Sequence, residues 1–171
     1  IDRCKETMSR MSASAGQFRA EAGRSINIKS YFEGLFSDWK TLHPMAHLHA
    51  EAGGCDPAPV IVIDETLTQA IPNVLNNAFE ASPQGVDAKA VWTPELLQLE
   101  IRDHGRGLSE QVLLSATEPF FTTKESGQGL GLFLVQEVMR RLGGEVTFSN
   151  HAEGGACVTF MLPLTKLVVK A

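Results

Sequence analysis

No apolar run in these 171 residues approaches the roughly 18 that a membrane span requires, and no signal-peptide pattern opens the sequence. Cysteine is scarce. Cys4, Cys55 and Cys157 are odd in number, far apart and without CxxC spacing, which argues against a disulfide framework or a zinc knuckle and fits a reducing cytoplasm. A basic excess is also missing: 15 Lys and Arg face 20 Asp and Glu, for a net charge of -5, so nucleic acid is not an expected partner. No internal repeat or low-complexity segment is visible. Apolar residues make up 43% and charged residues 20%, the balance of a globular chain with a sizeable core. The sequence opens at Ile1 rather than Met, inside a helical pattern, and is read as a piece of a longer chain.

The first 18 residues place Ile1, Cys4, Met8, Met11, Ala15 and Phe18 at alternating spacings of three and four. That spacing is a heptad seam between helices, with an ordinary core-facing helix as the alternative. Gly16 weakens its end, and residues 19–25 read as a linker. A broad apolar stripe of Ile28, Tyr31, Phe32, Leu35, Phe36, Trp39 and Leu42 predicts a helix over 28–42, stopped by Pro44. Short strands are expected at 46–51 and 60–63. A helix follows from Asp64 or Glu65 to Ala81, with Pro72 inside it predicting a kink or a displaced start. Strands at 86–93 and 96–102 turn at Pro94-Glu95, residues 109–115 suggest a short helix, and 118–128 a loop ordered on binding. A helix over 130–142 capped by Gly143-Gly144, and strands at 145–149 and 156–162, complete the chain. Strands and helices mix without strict βαβ alternation, which predicts an α+β fold.

Three local signals carry chemistry. Asn73 and Asn77 are four apart and share a helix face; a carboxamide oxygen is a hard, neutral ligand suited to Mg²⁺, although the pair could equally be solvated. Asp103-His-Gly-Arg-Gly107-Leu108 follows a strand. An aspartate there can accept from an exocyclic amine such as adenine's, and the glycines allow close backbone approach; a plain glycine turn is the alternative. Gly127-Gln-Gly129-Leu130-Gly131-Leu132 runs into a helix, where exposed N–H groups and the helix dipole attract phosphate. It lacks the preceding strand of a dinucleotide-binding turn, and no GxxxxGK[ST] P-loop is present.

In order and spacing, the asparagine helix, the Asp–Gly–Gly turn, Glu118-Pro-Phe-Phe-Thr-Thr-Lys124 and residues 127–132 resemble the N, G1, F and G2 boxes of histidine kinases in the GHKL ATP-binding superfamily. The resemblance spans about residues 44–165. It implies that residues 25–171 are a catalytic ATP-binding domain with an α/β (α+β) two-layer sandwich fold, a mixed sheet with helices on one face, preceded by part of a dimerisation helix and its linker (residues 1–24). Residue by residue, it implies Mg²⁺ on Asn77, Asn73 near the phosphates, the adenine amine on Asp103, and Gly105, Gly107 and Leu108 bordering the base. Phe120, Phe121, Thr122, Thr123 and Lys124 would lie in an ATP lid, and Gly127, Gly129, Leu130, Gly131 and Leu132 would hold the triphosphate. The superfamily's ATP hydrolases place a glutamate where this chain has Asn73, so water activation lacks its carboxylate and the kinase branch is favoured.

The sequence departs from the kinase pattern at Glu80, where a basic residue is common, and at Gly155-Ala156, where Gly-Thr is common. No His followed by an acidic residue on a helix is present. The resemblance therefore implies a phosphoacceptor histidine upstream of Ile1, a homodimer in the whole kinase, and a response regulator as partner. Membrane contact is expected only through upstream segments, with this domain cytoplasmic. Arg3-Cys4-Lys5 and the later Ser12-Ala-Ser-Ala-Gly16 are similar to the redox-responsive RegB/PrrB group of sensor kinases, which makes Cys4 a candidate redox site; an inert cysteine on the seam is the alternative. Rival functions are an ATP hydrolase of another superfamily branch and a degenerate, partner-binding module.

Overall fold

Residues 24–110, 113 and 131–168 are described by the structure, a computed structural model. The heptad seam with Cys4, the whole 118–128 segment and residues 127–130 of the glycine run therefore lie outside the described residues. A three-residue strand, β1 (Ser25–Asn27), leads directly into α1 (Ile28–Leu42). Asn27 caps that helix, its side-chain oxygen accepting the Lys29 N–H at 2.9 Å. Ser25, expected to end a linker, instead opens a strand that pairs antiparallel with β3 (Val60–Val62).

The α1 stripe buries Ile28, Tyr31, Phe32, Leu35, Phe36 and Trp39, each worth about 1.5–3 kcal/mol when removed from water. Leu42, expected on the same stripe, is 69% exposed. His43 closes that end instead, stacking on Trp39 with ring centroids 4.3 Å apart.

β2 (Leu48–Gly54) starts later and runs further than the alternation at 46–51 suggests. It is set by parallel pairing with β4 (Val86–Trp92), from Leu48↔Val86 to Gly54↔Trp92. Between them lies α2 (Glu65–Ala81), capped by Asp64, whose Oδ1 accepts the Leu67 N–H at 2.9 Å. The start is not displaced by Pro72, and the helix runs through it; the bond forgone is the one to the Thr68 carbonyl. β4 turns into β5 (Leu96–Asp103), and Thr93 Oγ1 accepts the Glu95 and Leu96 N–H groups at the bend. After α3 (Gly131–Arg141), Gly143 N–H bonds the Arg140 carbonyl and Gly144 N–H the Met139 carbonyl, with Gly143 at φ +73°. This is the Schellman arrangement the glycine pair predicts.

β6 (Glu145–Asn150) and β7 (Ala156–Pro163) complete a five-stranded mixed sheet ordered β2-β4-β5-β7-β6. Only β2 and β4 are parallel within it. Alternate residues Val86, Ala88, Ala90 and Trp92, then Leu97, Leu99 and Ile101, are buried beneath the helices. Their neighbours Lys89, Gln98 and Arg102 face away, as one covered and one wet face require. The result is the expected α/β (α+β) two-layer sandwich. Among the described residues no helix is long and apolar enough to cross a membrane.

Large side chains bridge the helices. Tyr31 OH and Thr68 Oγ1 are hydrogen-bonded at 2.8 Å, and burial pushes the phenol's pKa far above its ordinary value, so it stays a neutral hydroxyl. At the start of α2, Arg141 Nη2 donates to both oxygens of Asp64, at 3.0 and 2.9 Å. Thr66 Oγ1 adds a 2.6 Å bond to Asp64 Oδ1. Burial alone would raise the Asp64 pKa, but Thr66, Arg141 and the Leu67 N–H together hold it below the ordinary carboxylate value.

A depressed folded pKa contributes stability that is complete above the unfolded value, near about pH 4, and is lost as pH falls through the folded one. Asp64→Asn keeps a capping oxygen but removes the ion pair. It should cost about 0.5–1 kcal/mol at neutral pH, small because Arg141 is half exposed. Urea midpoints collected between pH 7 and pH 2.5 should converge for the two proteins at the acid end; a constant gap would contradict the ion-pair account.

Candidate functional site

Asp103 is the last residue of β5 and continues the inward-facing alternation of Leu97, Leu99 and Ile101. A carboxylate thus occupies a core position, 5% exposed. Burying it requires hydrogen-bond donors, and two backbone N–H groups supply them: Gly105 at 2.8 Å and Ala156 at 3.1 Å, both to Oδ1. One donor comes from the turn after β5 and the other from the first residue of β7.

The surrounding backbone is packed too closely for side chains at two points. A Cβ on Gly105 would lie 2.7 Å from the carbonyl oxygen of Ala81, the last residue of α2. A Cβ on Gly155 would lie 1.8 Å from the Asp103 carbonyl oxygen, and its φ of +85° favours glycine independently. Three segments therefore converge on Asp103: the 104–108 turn, the C-terminal end of α2, and the β6–β7 hairpin. Gly107 has φ +77°, and Leu108 is clasped by Asn150, its N–H donating to Oδ1 at 2.7 Å and its carbonyl accepting from Nδ2 at 2.8 Å.

Asn73 and Asn77 are half-buried on α2, one to two turns before Ala81, and Asn77 makes interactions within the chain. Asn76 between them accepts the Trp39 indole N–H at 2.8 Å. Trp39 also meets the Phe79 ring edge-on, with centroids 6.0 Å apart. These contacts fix the rotation of α2 about its axis, and with it the direction of the Asn73–Asn77 face. The Asp64–Arg141 pair joins the start of α2 to the end of α3, the helix that Gly131 opens. Leu132 is partly buried and packs its side chain against the core.

Gly131 and Leu132 are the described members of the glycine run. Thr122, Thr123, Lys124, Gly127, Gly129 and Leu130 lie outside the described residues. Sequence reasoning gave no site role to Asn150, to the Gly155 backbone or to the Ala156 N–H. At Ala156 it weighed a missing hydroxyl, whereas the group that reaches Asp103 is the backbone N–H, which any residue but proline carries. Cys157 is buried, and burial pushes its thiol pKa up.

The sequence pattern of the histidine kinase-, DNA gyrase B- and HSP90-like ATPases matches residues 63–166, a stretch that runs from the Asp64 cap through β7. The chain belongs to this family. Its domain is homologous to the ATPase domains of sensor kinases. The C4-dicarboxylate transport sensor protein DctB of Pseudomonas aeruginosa is 40% identical over 103 residues, 56% of this chain, and the chain spans 17% of DctB's length. The nucleotide-free catalytic domain of the histidine kinase ThkA superposes with TM-score 0.68 at 20% identity, covering 83% of this chain and 95% of that one. The ATP-binding domain of PrrB from Mycobacterium tuberculosis gives TM-score 0.64 at 24% identity, covering 83% and 97%. Likeness at these identities is of fold, and does not bear on a redox grouping.

Glycine substitutions separate the packed positions of this kinase-type domain from open ones. Gly155→Ala meets both the left-handed φ, about 1–2 kcal/mol, and the Asp103 carbonyl. It should cost about 3 kcal/mol or more in chemical denaturation. Gly143→Ala has a similar φ of +73°, but its nearest neighbour is 4.0 Å away, so it should cost only about 1–2 kcal/mol. Equal costs would contradict the close approach at Gly155.

Proposed function

We propose that this domain binds Mg-ATP and supplies its γ-phosphoryl group to a histidine outside this sequence, within a sensor histidine kinase that then phosphorylates a response regulator. The observation that carries the reading is the Asp103 constellation inside a family-matched fold. A buried carboxylate has Oδ1 held by two backbone donors, in a turn whose glycines let it pack closely against the end of α2 and against Asn150. Oδ2 is then directed at the exocyclic amine of adenine, with Gly105, Gly107 and Leu108 bordering the base. A carboxylate oxygen is an acceptor, which suits adenine, with its amine, rather than guanine, which offers a carbonyl at that edge.

Asn77 is the metal residue in this reading, and Asn73 lies near the phosphates. Both oxygens are hard ligands of the kind Mg²⁺ takes alongside its waters and phosphate oxygens. When bound, Mg-ATP supplies the transferable phosphoryl group. The chain's own contribution is positioning and charge complementarity. The backbone N–H groups around Gly127, Gly129, Leu130, Gly131 and Leu132 hold the triphosphate, with Thr122, Thr123 and Lys124 over it. Transfer breaks the bond between the γ-phosphorus and its bridging oxygen, ADP leaves, and a P–N bond forms on the acceptor imidazole. Asn73 stands where a hydrolase needs a carboxylate base, which favours transfer to an imidazole over transfer to water. The whole kinase is a homodimer in this reading, and Cys4 beside Arg3 and Lys5 is its redox-responsive position.

A calorimetric titration with a non-hydrolysable ATP analogue, with and without Mg²⁺, tests the site. Wild type should bind with Mg²⁺ dependence, and Asn77→Ala should lose that dependence. Asp103→Asn keeps the oxygen that receives the two N–H groups but presents an amide to the adenine amine. It should lose about 1–3 kcal/mol of affinity. Unchanged affinity would remove Asp103 from the site, and no binding to folded wild type would favour a partner-binding module.

A further inference from the structure

Asn150 clasps Leu108, a residue placed at the border of the base, yet has no role of its own in the nucleotide reading. Asn150 ends β6, across the sheet from the β5 turn, yet its carboxamide engages the Leu108 backbone on both sides. A donor and an acceptor on one planar group match the N–H and C=O of a single residue, so Asn150 holds Leu108 on both sides as a neighbouring strand residue would. Its reach is also limited by Gly107, where a Cβ would lie 2.7 Å from Asn150 Oδ1. The glycine at 107 is thus needed for the clasp as well as for its own φ.

The hairpin that carries Asn150 is itself anchored. Arg102 Nη2 donates to the Gly154 carbonyl at 3.2 Å, and Nη1 reaches Glu153 at 3.5 Å. The His151 N–H bonds the Gly155 carbonyl at 2.9 Å. Ala156, one residue further, donates to Asp103. The turn at 104–108 is therefore fixed at both ends by one hairpin: at Asp103 through the Ala156 N–H, and at Leu108 through Asn150. Between these ends, Gly105 N–H sets the orientation of the Asp103 carboxylate.

We infer that Asn150 is a positioning residue for base recognition: it holds the far end of the 104–108 turn so that the Asp103 carboxylate stays aligned with adenine. This rests on the nucleotide reading above. Without the clasp the turn can swing, the Gly105 N–H leaves Oδ1, and the carboxylate loses the alignment that distinguishes an amine from a carbonyl. Phosphate and ribose contacts are unaffected by that motion, so the loss falls on base selectivity.

The test compares Asn150→Ala and Asn150→Asp with wild type in the full 171-residue chain, titrated with non-hydrolysable analogues of ATP and of GTP under conditions where all three are folded by circular dichroism. Asn150→Asp keeps the acceptor and the shape, but sets a carboxylate oxygen against the Leu108 carbonyl. Because the clasp is exposed to water, each variant should bind the ATP analogue about fivefold more weakly. The GTP analogue should change by less than about twofold, so the ATP-to-GTP affinity ratio falls. A parallel loss for both nucleotides means a purely structural role and overturns the proposal, as does unchanged ATP affinity in both variants. Wild type that binds neither nucleotide overturns the nucleotide reading itself and this proposal with it.

Discussion

Two backbone N–H groups, 51 residues apart in sequence, meet on one oxygen of Asp103. Most of the site's architecture follows from the need to satisfy that carboxylate. A buried charge without donors is costly enough to be rare, so β7 must lie beside β5 with Ala156 in register, and the turn after Asp103 must fold back sharply enough to offer Gly105. Those demands bring the Gly155 backbone against the Asp103 carbonyl and the Gly105 backbone against the end of α2. The glycines are where they are because three chain segments share the space around one side chain.

The second constraint is the orientation of α2. Its apolar residues Leu67, Ile71, Val74, Leu75 and Ala78 lie against the sheet, yet apolar burial alone leaves a helix free to rotate by tens of degrees at little cost. Polar contacts remove that freedom: Thr68 with Tyr31, Asn76 with Trp39, and the Asp64 cap with Arg141. The first two tie α2 to α1 and the third ties it to α3. Asn73 and Asn77, the proposed phosphate and metal residues, are thereby set by neighbours that touch no ligand in that reading.

Much of the fold was legible in the sequence because its signals are periodic. The stripe from Ile28 to Trp39 gave α1 with its observed ends, and Gly143-Gly144 gave the stop after α3. The failures have local causes. Leu42 fits the helical period but falls in the last turn, where His43 covers Trp39 instead. β1 is three residues long, too short for alternation to register, and exists only through pairing with Val60–Val62. The bounds of β2 depended on its partner β4, 38 residues away at Leu48↔Val86, which no local pattern reveals.

The site divides in the same way. Asp103 and its glycines were legible as a turn motif, and Asn73 and Asn77 as a helical face. Asn150 and the Ala156 N–H were not, because one is an ordinary strand-end asparagine and the other is a backbone group without a sequence signature. Following backbone amide resonances while the Mg-bound ATP analogue is added would test the central claim most directly. The account predicts that the largest shifts fall on Gly105, Leu108 and Ala156 and on the Asn73–Asn77 turn of α2. Shifts confined to the polar outer face of the sheet, around Glu51, Lys89 and Glu100, would contradict it.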